Sequence, residues 1–343
     1  MQQDITLTVD YHDKNCVIRR LDRATGVERM MTVPTSKSAL EAVVREACLV
    51  AEARDGHVIW IQESTTGWAR VKELVEPQAR FVLANVLQMP LPPKARRRKT
   101  DKVDTARLQR EFLSGTLPLA YQPAASWRQT RRLVALRENL VSRRTALLNW
   151  INRYLAHETW VDRTALRSPR GFARLRALPL PELDRQVIDW KLEELEQLGL
   201  RLKKVEQAVV DLYCVWPPAR RLDAIRGIGI VAAVSIIARI GLVKRFASAE
   251  HLIAFAGLAP GVQQSDETCR SGRIGGGGTD KHLRHYLIEA SIWARDIPRY
   301  RDTYQRMMRR RGKKIARLVV ARRLTRSIYK MLRDEVDFKP TAA

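Results

Sequence analysis

Short apolar and alternating runs dominate the first part of the chain, up to about residue 85. Runs of apolar and β-branched residues predict five strands, at residues 5–9, 16–18, 30–33, 57–61 and 81–84. Apolar residues at helical spacing predict a helix over residues 37–52, with Thr35 or Ser36 as its N-cap. A second helix is predicted over residues 67–75. This part of the chain therefore predicts a mixed α/β sheet.

Heptad spacing of apolar residues marks the middle of the chain. Between residues 184 and 212, Ile188, Leu195, Leu202 and Val209 recur every seven positions, and residues 126–155 carry a similar pattern. The spacing predicts two long antiparallel helices. They form either a coiled-coil arm for spacing or oligomerisation, or a helical hairpin packed inside one protomer.

The last third is predicted to be mostly helical. Gly227-Ile228-Gly229 lies between apolar helical runs, a polar glycine-rich loop is expected over residues 261–279, and two basic helices close the chain. The fold class is thus α/β followed by α. We expect three domains, at residues 1–125, 126–215 and 216–343.

The charge of the chain narrows its possible partners. With 62 Lys and Arg against 37 Asp and Glu, the 343 residues carry a formal charge of +25. Such an excess spread along the chain favours a nucleic acid over a membrane surface, because neutralised phosphates release counterions. The four cysteines are far apart in sequence, and no run is apolar enough to span a bilayer. We therefore expect a cytoplasmic, nucleoid-associated protein without membrane contact.

Two dense basic runs and one glycine turn are the predicted nucleic-acid contacts. The runs comprise Arg96, Arg97, Arg98, Lys99, Arg309, Arg310, Arg311, Lys313 and Lys314. The backbone amides of Gly227 and Gly229 resemble those of a helix-hairpin-helix turn that contacts a phosphate. The alternative for these two glycines is a plain connection between helices.

Four acidic residues are the predicted catalytic centre. The order of the N-terminal elements is that of an RNase H-like sheet, in which the first and fourth strands are neighbours and a late helix packs across their ends. Asp10 and Glu63 then end neighbouring strands, while Asp101 and Asp104 share one face at the start of that helix. Converging carboxylates suit Mg²⁺ or Mn²⁺, which can hold a scissile phosphate. The alternative is that these residues have only structural roles. Asp10 would end a strand in a turn, Glu63 would cap a helix, and Asp101 and Asp104 would be acids favoured in the first turn of a helix by its dipole.

Several sequence motifs resemble the insertion-sequence-110 family of transposases and the related Piv-type DNA invertases. They are Val9-Asp10, Ile61-Gln62-Glu63-Ser64-Thr65, the run from Lys99 to Arg107 (KTDKVDTAR), Gly227-Ile228-Gly229, the run from Phe255 to Pro260 (FAGLAP), and Arg273-Ile274-Gly275. The resemblance covers nearly the whole chain apart from the helical middle.

The resemblance implies a two-part enzyme. Members pair an N-terminal RuvC-like Asp-Glu-Asp-Asp domain with a C-terminal transposase domain that carries a serine nucleophile. They are metal-dependent recombinases, which cut and rejoin DNA at element ends and target through a phosphoserine link. Many use a bridge guide RNA. They assemble as tetramers in which the carboxylates of one protomer face the serine of another, so a homo-oligomer, dimer or tetramer, is expected.

Carried over to this chain, the carboxylates match Asp10, Glu63, Asp101 and Asp104, and the serine matches Ser265. Arg270 and Arg273 follow closely and suit the charge that develops on a phosphate. The chain departs from the family pattern at Asp266, where glycine is usual, and in the glycine run that starts at Gly275. Ser271 is therefore a rival nucleophile. A hydrolytic RuvC-like nuclease acting on branched DNA, a Piv-type invertase and a non-catalytic nucleic-acid scaffold remain alternative functions.

Overall fold

The computed structural model describes residues 3–89, 101–158, 169–265, 268–274 and 278–341. Contacts within the chain divide it into two units, Met1–Gln122 and Pro123–Ala343. The predicted helical middle and the predicted C-terminal domain lie in the same unit. Whether the middle behaves as a domain of its own stays a prediction.

The first unit is built on a five-stranded mixed sheet. Its strands are β1 (Ile5–Tyr11), β2 (Asn15–Asp22), β3 (Glu28–Pro34), β4 (Val58–Glu63) and β5 (Arg80–Ala84). Their order is β3-β2-β1-β4-β5, with β1, β2 and β3 antiparallel and with β4 parallel to both β1 and β5. The five predicted strands and the predicted neighbours β1 and β4 are confirmed.

Helices cover both faces of this sheet. They are α1 (Lys37–Glu52), α2 (Trp68–Val75) and α3 (Asp101–Leu113). On one face, Leu7, Val9 and Trp60 pack in a buried cluster with residues of α1 and α2. On the other face, Ile59 and Ile61 pack with Leu108 of α3. The side chains of a strand alternate between faces, so successive residues of β4 belong to different clusters.

The second unit is mostly helical. Its helices are α4 (Ala125–Glu158), α5 (Pro169–Arg176), α6 (Glu182–Cys214), α7 (Pro217–Asp223), α8 (Ile230–Ile240), α9 (Ala249–Phe255), α10 (Lys281–Ala294) and α11 (Pro298–Asp334). None of the helices in the described part of the chain has an apolar stretch long enough to cross a membrane.

The heptad helices pair with each other inside one chain. Arg137 of α4 contacts Glu206 of α6 at 2.7 Å, and Tyr154 of α4 contacts Asp184 at the other end, so the two helices are antiparallel. Leu195 and Leu202 are both 4% exposed and pack against apolar residues of α4. The predicted antiparallel pair is confirmed, and its apolar seam is covered within one chain. Its role as a spacer or oligomerisation arm stays a prediction.

The glycine-rich segment after α9 differs from the prediction. It was expected to be a loop, but it forms a two-stranded antiparallel sheet of β6 (Pro260–Ser265) and β7 (Thr268–Ile274). Only three of these thirteen residues, Val262, Cys269 and Ile274, are apolar, so the hydrophobic pattern gives no strand signal. The strands are specified instead by backbone pairing within the hairpin.

Candidate active site and nucleic-acid surface

Asp10 and Glu63 lie side by side at one edge of the first unit's sheet. The parallel register of β1 and β4 pairs Val9 with Gln62, and each strand continues by one residue to an acidic side chain. Parallel strands are about 4.8 Å apart, and paired residues point to the same face. The two carboxylates therefore share the carboxyl edge and the α3 face of the sheet.

Helix α3 packs across this face, as predicted from the sequence. It begins at Asp101, and Asp104 lies half-buried one turn before the buried Leu108. Residues four apart share a helix side, so Asp104 lies on the side of α3 that covers the sheet. The structure thus brings Asp10, Glu63 and the start of α3 to the same face.

A polar network holds α3 in place, and sequence reasoning missed it. Arg19 of β2 lies opposite Thr8, and its Nε donates a hydrogen bond to Thr105 Oγ1 at 3.4 Å. Its Nη1 lies 2.7 Å from Glu28 Oε1, which also accepts a 2.9 Å hydrogen bond from Gln109 Nε2. The hydrogen bond from Arg19 lowers the pKa of Glu28 despite partial burial. No periodic signal links residues 80 positions apart.

The surroundings of Asp10 are partly closed to solvent. Asp10 is 6% exposed, and its Oδ2 lies 3.3 Å from His12 Nε2. Burial, followed by the electrostatic effect of Cys16, raises the pKa of the adjacent Tyr11. Thr8 Oγ1, buried on the same face, makes no hydrogen bond with any described residue. His12 was not predicted, since its place two residues after Asp10 becomes meaningful only through the turn between β1 and β2.

These groups fit a hard divalent cation in type, because carboxylate oxygens are the ligands that Mg²⁺ and Mn²⁺ prefer. Among the described residues, however, no three acidic, histidine or cysteine side chains lie close enough together to hold a metal ion. The described part of the site is therefore two neighbouring carboxylates with a third on the covering helix, short of a complete ligand set.

Ser265 is the last residue of β6, where it pairs with Thr268. The root of this hairpin is held firmly. Gly257 ends the preceding turn with φ of 64°, and Asp280 N donates a hydrogen bond to Phe255 O at 2.8 Å. Arg322 Nε donates to Leu258 O at 2.6 Å, and burial lowers the pKa of this arginine. The FAGLAP run thus forms a fixed base for the hairpin that carries Ser265.

The glycine turn connects α7 to α8. Gly227 has φ of 97°, and a Cβ there would stand 2.7 Å from Trp293 Cβ and 2.8 Å from Ala290 O. Close packing against α10 therefore requires this glycine, which supports the structural alternative for Gly227. Gly229 is exposed, caps α8 without a side-chain bond and has open space around it, so its phosphate contact stays a prediction.

The basic run near the C-terminus forms an exposed bend. Helix α11 is interrupted at Gly312, which has φ of 79°, and residues 308–315 are all exposed. Within the described part of the chain, five cations form no ion pair there: Arg309, Arg310, Arg311, Lys313 and Lys314. A bend that carries several cations without ion-pair partners is a surface that suits phosphates.

The other predicted basic residues lie in different parts of the chain. The run from Arg96 to Lys99, including Arg97 and Arg98, lies outside the described residues. Arg270 and Arg273 are in β7, on the hairpin with Ser265. Further along α11 the arginines serve the fold: Arg323 contacts Thr303, and Arg326 pairs with Glu250 at 2.8 Å.

Two models of one transposase family match this chain. Residues 7–158 match a family model for transposases of the DEDD, IS110 type, and residues 219–305 match the model described as "Transposase IS116/IS110/IS902 family". Together the matches span more than half of the chain.

Individual relatives have low sequence identity to this chain, but the similarity extends over most of its length. A Pseudomonas aeruginosa protein named "Probable family 20 transposase" is 24% identical over 351 residues, which cover 97% of this chain and 94% of the relative. The "Transposase for insertion sequence element IS1111A" of Coxiella burnetii is 23% identical over 263 residues, or 74% of this chain and 64% of the relative. With an acidic sheet edge in the first unit and both family matches in order, the chain belongs to the IS110 family of transposases, which move insertion sequences within DNA.

Proposed function

We propose that this transposase cuts and rejoins DNA through a phosphoserine link formed at Ser265, with Mg²⁺ held by the RuvC-like carboxylates. The observation that carries the proposal is the adjacency of Asp10 and Glu63 on parallel strands beneath α3, the helix that bears Asp101 and Asp104. Two carboxylates so close repel each other unless a cation or a proton compensates them. A bound Mg²⁺ would supply positive charge at the scissile phosphate and lower the pKa of the attacking hydroxyl.

The chemistry assigned to the chain is an exchange of phosphate esters. The Ser265 oxygen bonds to phosphorus, the bond from phosphorus to one sugar oxygen breaks, and that oxygen leaves as a hydroxyl with a proton. A DNA hydroxyl later attacks the same phosphorus and releases serine. The number of phosphoester bonds is conserved, so rejoining needs no ATP. Arg270 and Arg273, the third and sixth residues of β7, would stabilise the charge on the phosphate.

Ser265→Ala tests the nucleophile, with Ser271→Ala as the matched control on the partner strand of the hairpin. We expect the Ser265 variant to bind DNA and to form no covalent protein–DNA adduct on a nicked suicide substrate, while the Ser271 variant forms it. Peptide mapping of the trapped adduct gives the modified residue. An adduct at Ser271 would reassign the nucleophile, and cleavage without any adduct would favour the hydrolytic nuclease.

A guide RNA is the second part of the proposal. It is supported by the charge of +25 and by the pair-free cations around Gly312, which exceed what a solubilising helix face needs. Sequencing the nucleic acid that copurifies with the protein tests it. An RNA encoded beside the gene would support guidance, whereas the absence of any discrete RNA would favour a Piv-type invertase.

We also propose that the protein acts as a dimer or tetramer, in which Ser265 of one protomer acts with the carboxylates of another. The proposal follows from the family resemblance. Mixing Ser265→Ala protomers with Asp10→Asn protomers tests it, because only an assembly that shares sites between protomers can restore adduct formation.

A further inference from the structure

A groove of about 840 Å³ opens along the helical pair of the second unit, between α4, α5 and α6. Its volume falls within the range of small-ligand sites in proteins, about 300–1,000 Å³. Phe172 of α5 and Leu148 of α4 give it an apolar wall, and the ion pair between Arg176 and Glu196, at 3.0 Å, joins α5 to α6 beside it. The groove is therefore a formed feature of the helical pair.

One residue of the groove has no structural reason to be glycine. Gly199 lies inside the 33-residue helix α6, and nothing stands within 4 Å of where its Cβ would be. Glycine costs about 1 kcal/mol relative to alanine within a helix. No neighbour requires the missing side chain, and the glycine leaves the groove wider at this point than a larger residue would.

A second, independent feature points to a polar ligand. Asn152 lines the groove, and its Oδ1, a buried atom, accepts no hydrogen bond from any described residue. A buried amide oxygen without a donor is unfavourable, by about 1–3 kcal/mol. A ligand with N–H or O–H groups would satisfy this oxygen once the Asn152 amide rotates toward the groove.

Charge at the rim narrows the ligand class. Arg144 and Lys203 line the groove, and neither forms an ion pair with a described residue. An unpaired base and its phosphate are bound by such a combination of groups. The aromatic ring stacks on the base, the amide forms hydrogen bonds with the base edge, and the two cations contact the phosphate. We propose that this groove binds one unpaired nucleotide of a single-stranded nucleic acid, with the base beside Phe172 and Asn152 and the phosphate at Arg144 and Lys203. The inference deepens the proposed nucleic-acid partner and rests on it.

The test uses full-length protein with single-stranded RNA and DNA of about ten nucleotides, each carrying one 2-aminopurine, in about 0.5 M NaCl to suppress surface binding. Stacking in the groove quenches the 2-aminopurine fluorescence. Gly199→Leu fills the groove, and we expect it to weaken binding about tenfold or more and to abolish quenching. Because leucine favours a helix more than glycine does, the variant keeps its fold.

Gln197→Leu is the matched control, since Gln197 is exposed on the same helix and does not line the groove. Lys203→Gln should weaken binding and Lys204→Gln should not, because only Lys203 lines the groove. Stronger quenching by RNA than by DNA identifies a guide RNA as the source of the nucleotide, and the reverse identifies a displaced DNA strand.

Unchanged quenching in Gly199→Leu would overturn the assignment. If that variant instead changes the oligomer mass by light scattering while quenching persists, the groove is an interface between copies and the proposal is wrong. The Ser265 adduct is a separate readout. Failure of the groove leaves the adduct intact, whereas failure of the phosphoserine proposal removes the adduct and leaves quenching unaffected.

Discussion

Arg19 and Glu28 form an ion pair of 2.7 Å across strands β2 and β3, and both also bond to α3. Arg19 reaches Thr105, and Glu28 accepts from Gln109, so the pair joins the antiparallel half of the sheet to the helix that carries Asp104. The position of one candidate catalytic carboxylate therefore depends on residues that take no part in the proposed chemistry.

Glu28→Gln should lower stability in a pH-dependent way. The hydrogen bond from Arg19 lowers the folded-state pKa of Glu28, so its contribution is complete above the ordinary glutamate pKa of about 4.3 and is lost as the pH falls through the lower folded value. Because the Glu28 side chain is 41% exposed, we expect the free energy of unfolding to fall by less than about 1 kcal/mol at neutral pH. Urea unfolding at neutral and acidic pH measures this free energy. Glu41→Gln is the control, because Glu41 pairs only with Lys37 one turn away on the same helix, and an equal effect there would contradict the assignment.

Asp10→Asn, Glu63→Gln, Asp101→Asn and Asp104→Asn should each reduce DNA cleavage by at least about 100-fold, because each removes a charge from the proposed metal site. DNA binding should change little, since it depends on the basic surface. Cleavage and filter-binding assays in Mg²⁺ separate the two. Asp13→Asn is the control, an exposed acid three residues from Asp10. Normal recombination by Asp101→Asn would show that the metal-site proposal is wrong.

Replacing Arg309, Arg310 and Arg311 together by Gln should flatten the salt dependence of nucleic-acid binding. Each neutralised phosphate contributes about −0.7 to −0.9 to the slope of log K against log salt, so the slope should change by up to about 2–3 units. Binding titrations across salt concentrations measure the slope.

A control with the same change in net charge separates local contact from overall charge. Arg29, Arg45 and Arg80 are exposed and scattered over the first unit, and their replacement by Gln should change the slope much less. Equal slopes for the two triple variants would mean that the bend at Gly312 only keeps the helix solvated.

Leu195→Glu with Leu202→Glu should unfold the helical pair, because both leucines are 4% exposed in its seam. Losing a buried leucine costs about 2–5 kcal/mol, and an unpaired buried carboxylate adds to that cost. Circular dichroism and limited proteolysis of the second unit report the loss. Gln197→Glu with Lys204→Glu has the same spacing on the exposed side of α6 and should leave the melting temperature nearly unchanged.

Local patterns in the sequence were sufficient to predict the strands and helices of the first unit. Strand alternation, the Ser36 cap whose side chain accepts from Ala39 N, and the start of α3 at Asp101 were all predicted, because each depends on neighbours within a few residues. The hairpin of β6 and β7 was missed because its strands are polar and depend on pairing with each other.

By itself, the sequence determined the composition-dependent and periodic features of this protein: the basic charge, the mixed sheet, the heptad helices and the acidic residues at strand ends. Tertiary structure decided which faces those elements share. It placed Asp10 beside Glu63 through a parallel register and covered the heptad seam within the chain. It also bonded Arg322 to the Leu258 carbonyl and paired Arg326 with Glu250, while it left Arg309 to Arg311 without an ion-pair partner among the described residues. The reason is physical. The type of a side chain is visible in the sequence, but the residues that it contacts are fixed only when segments distant in sequence pack against each other.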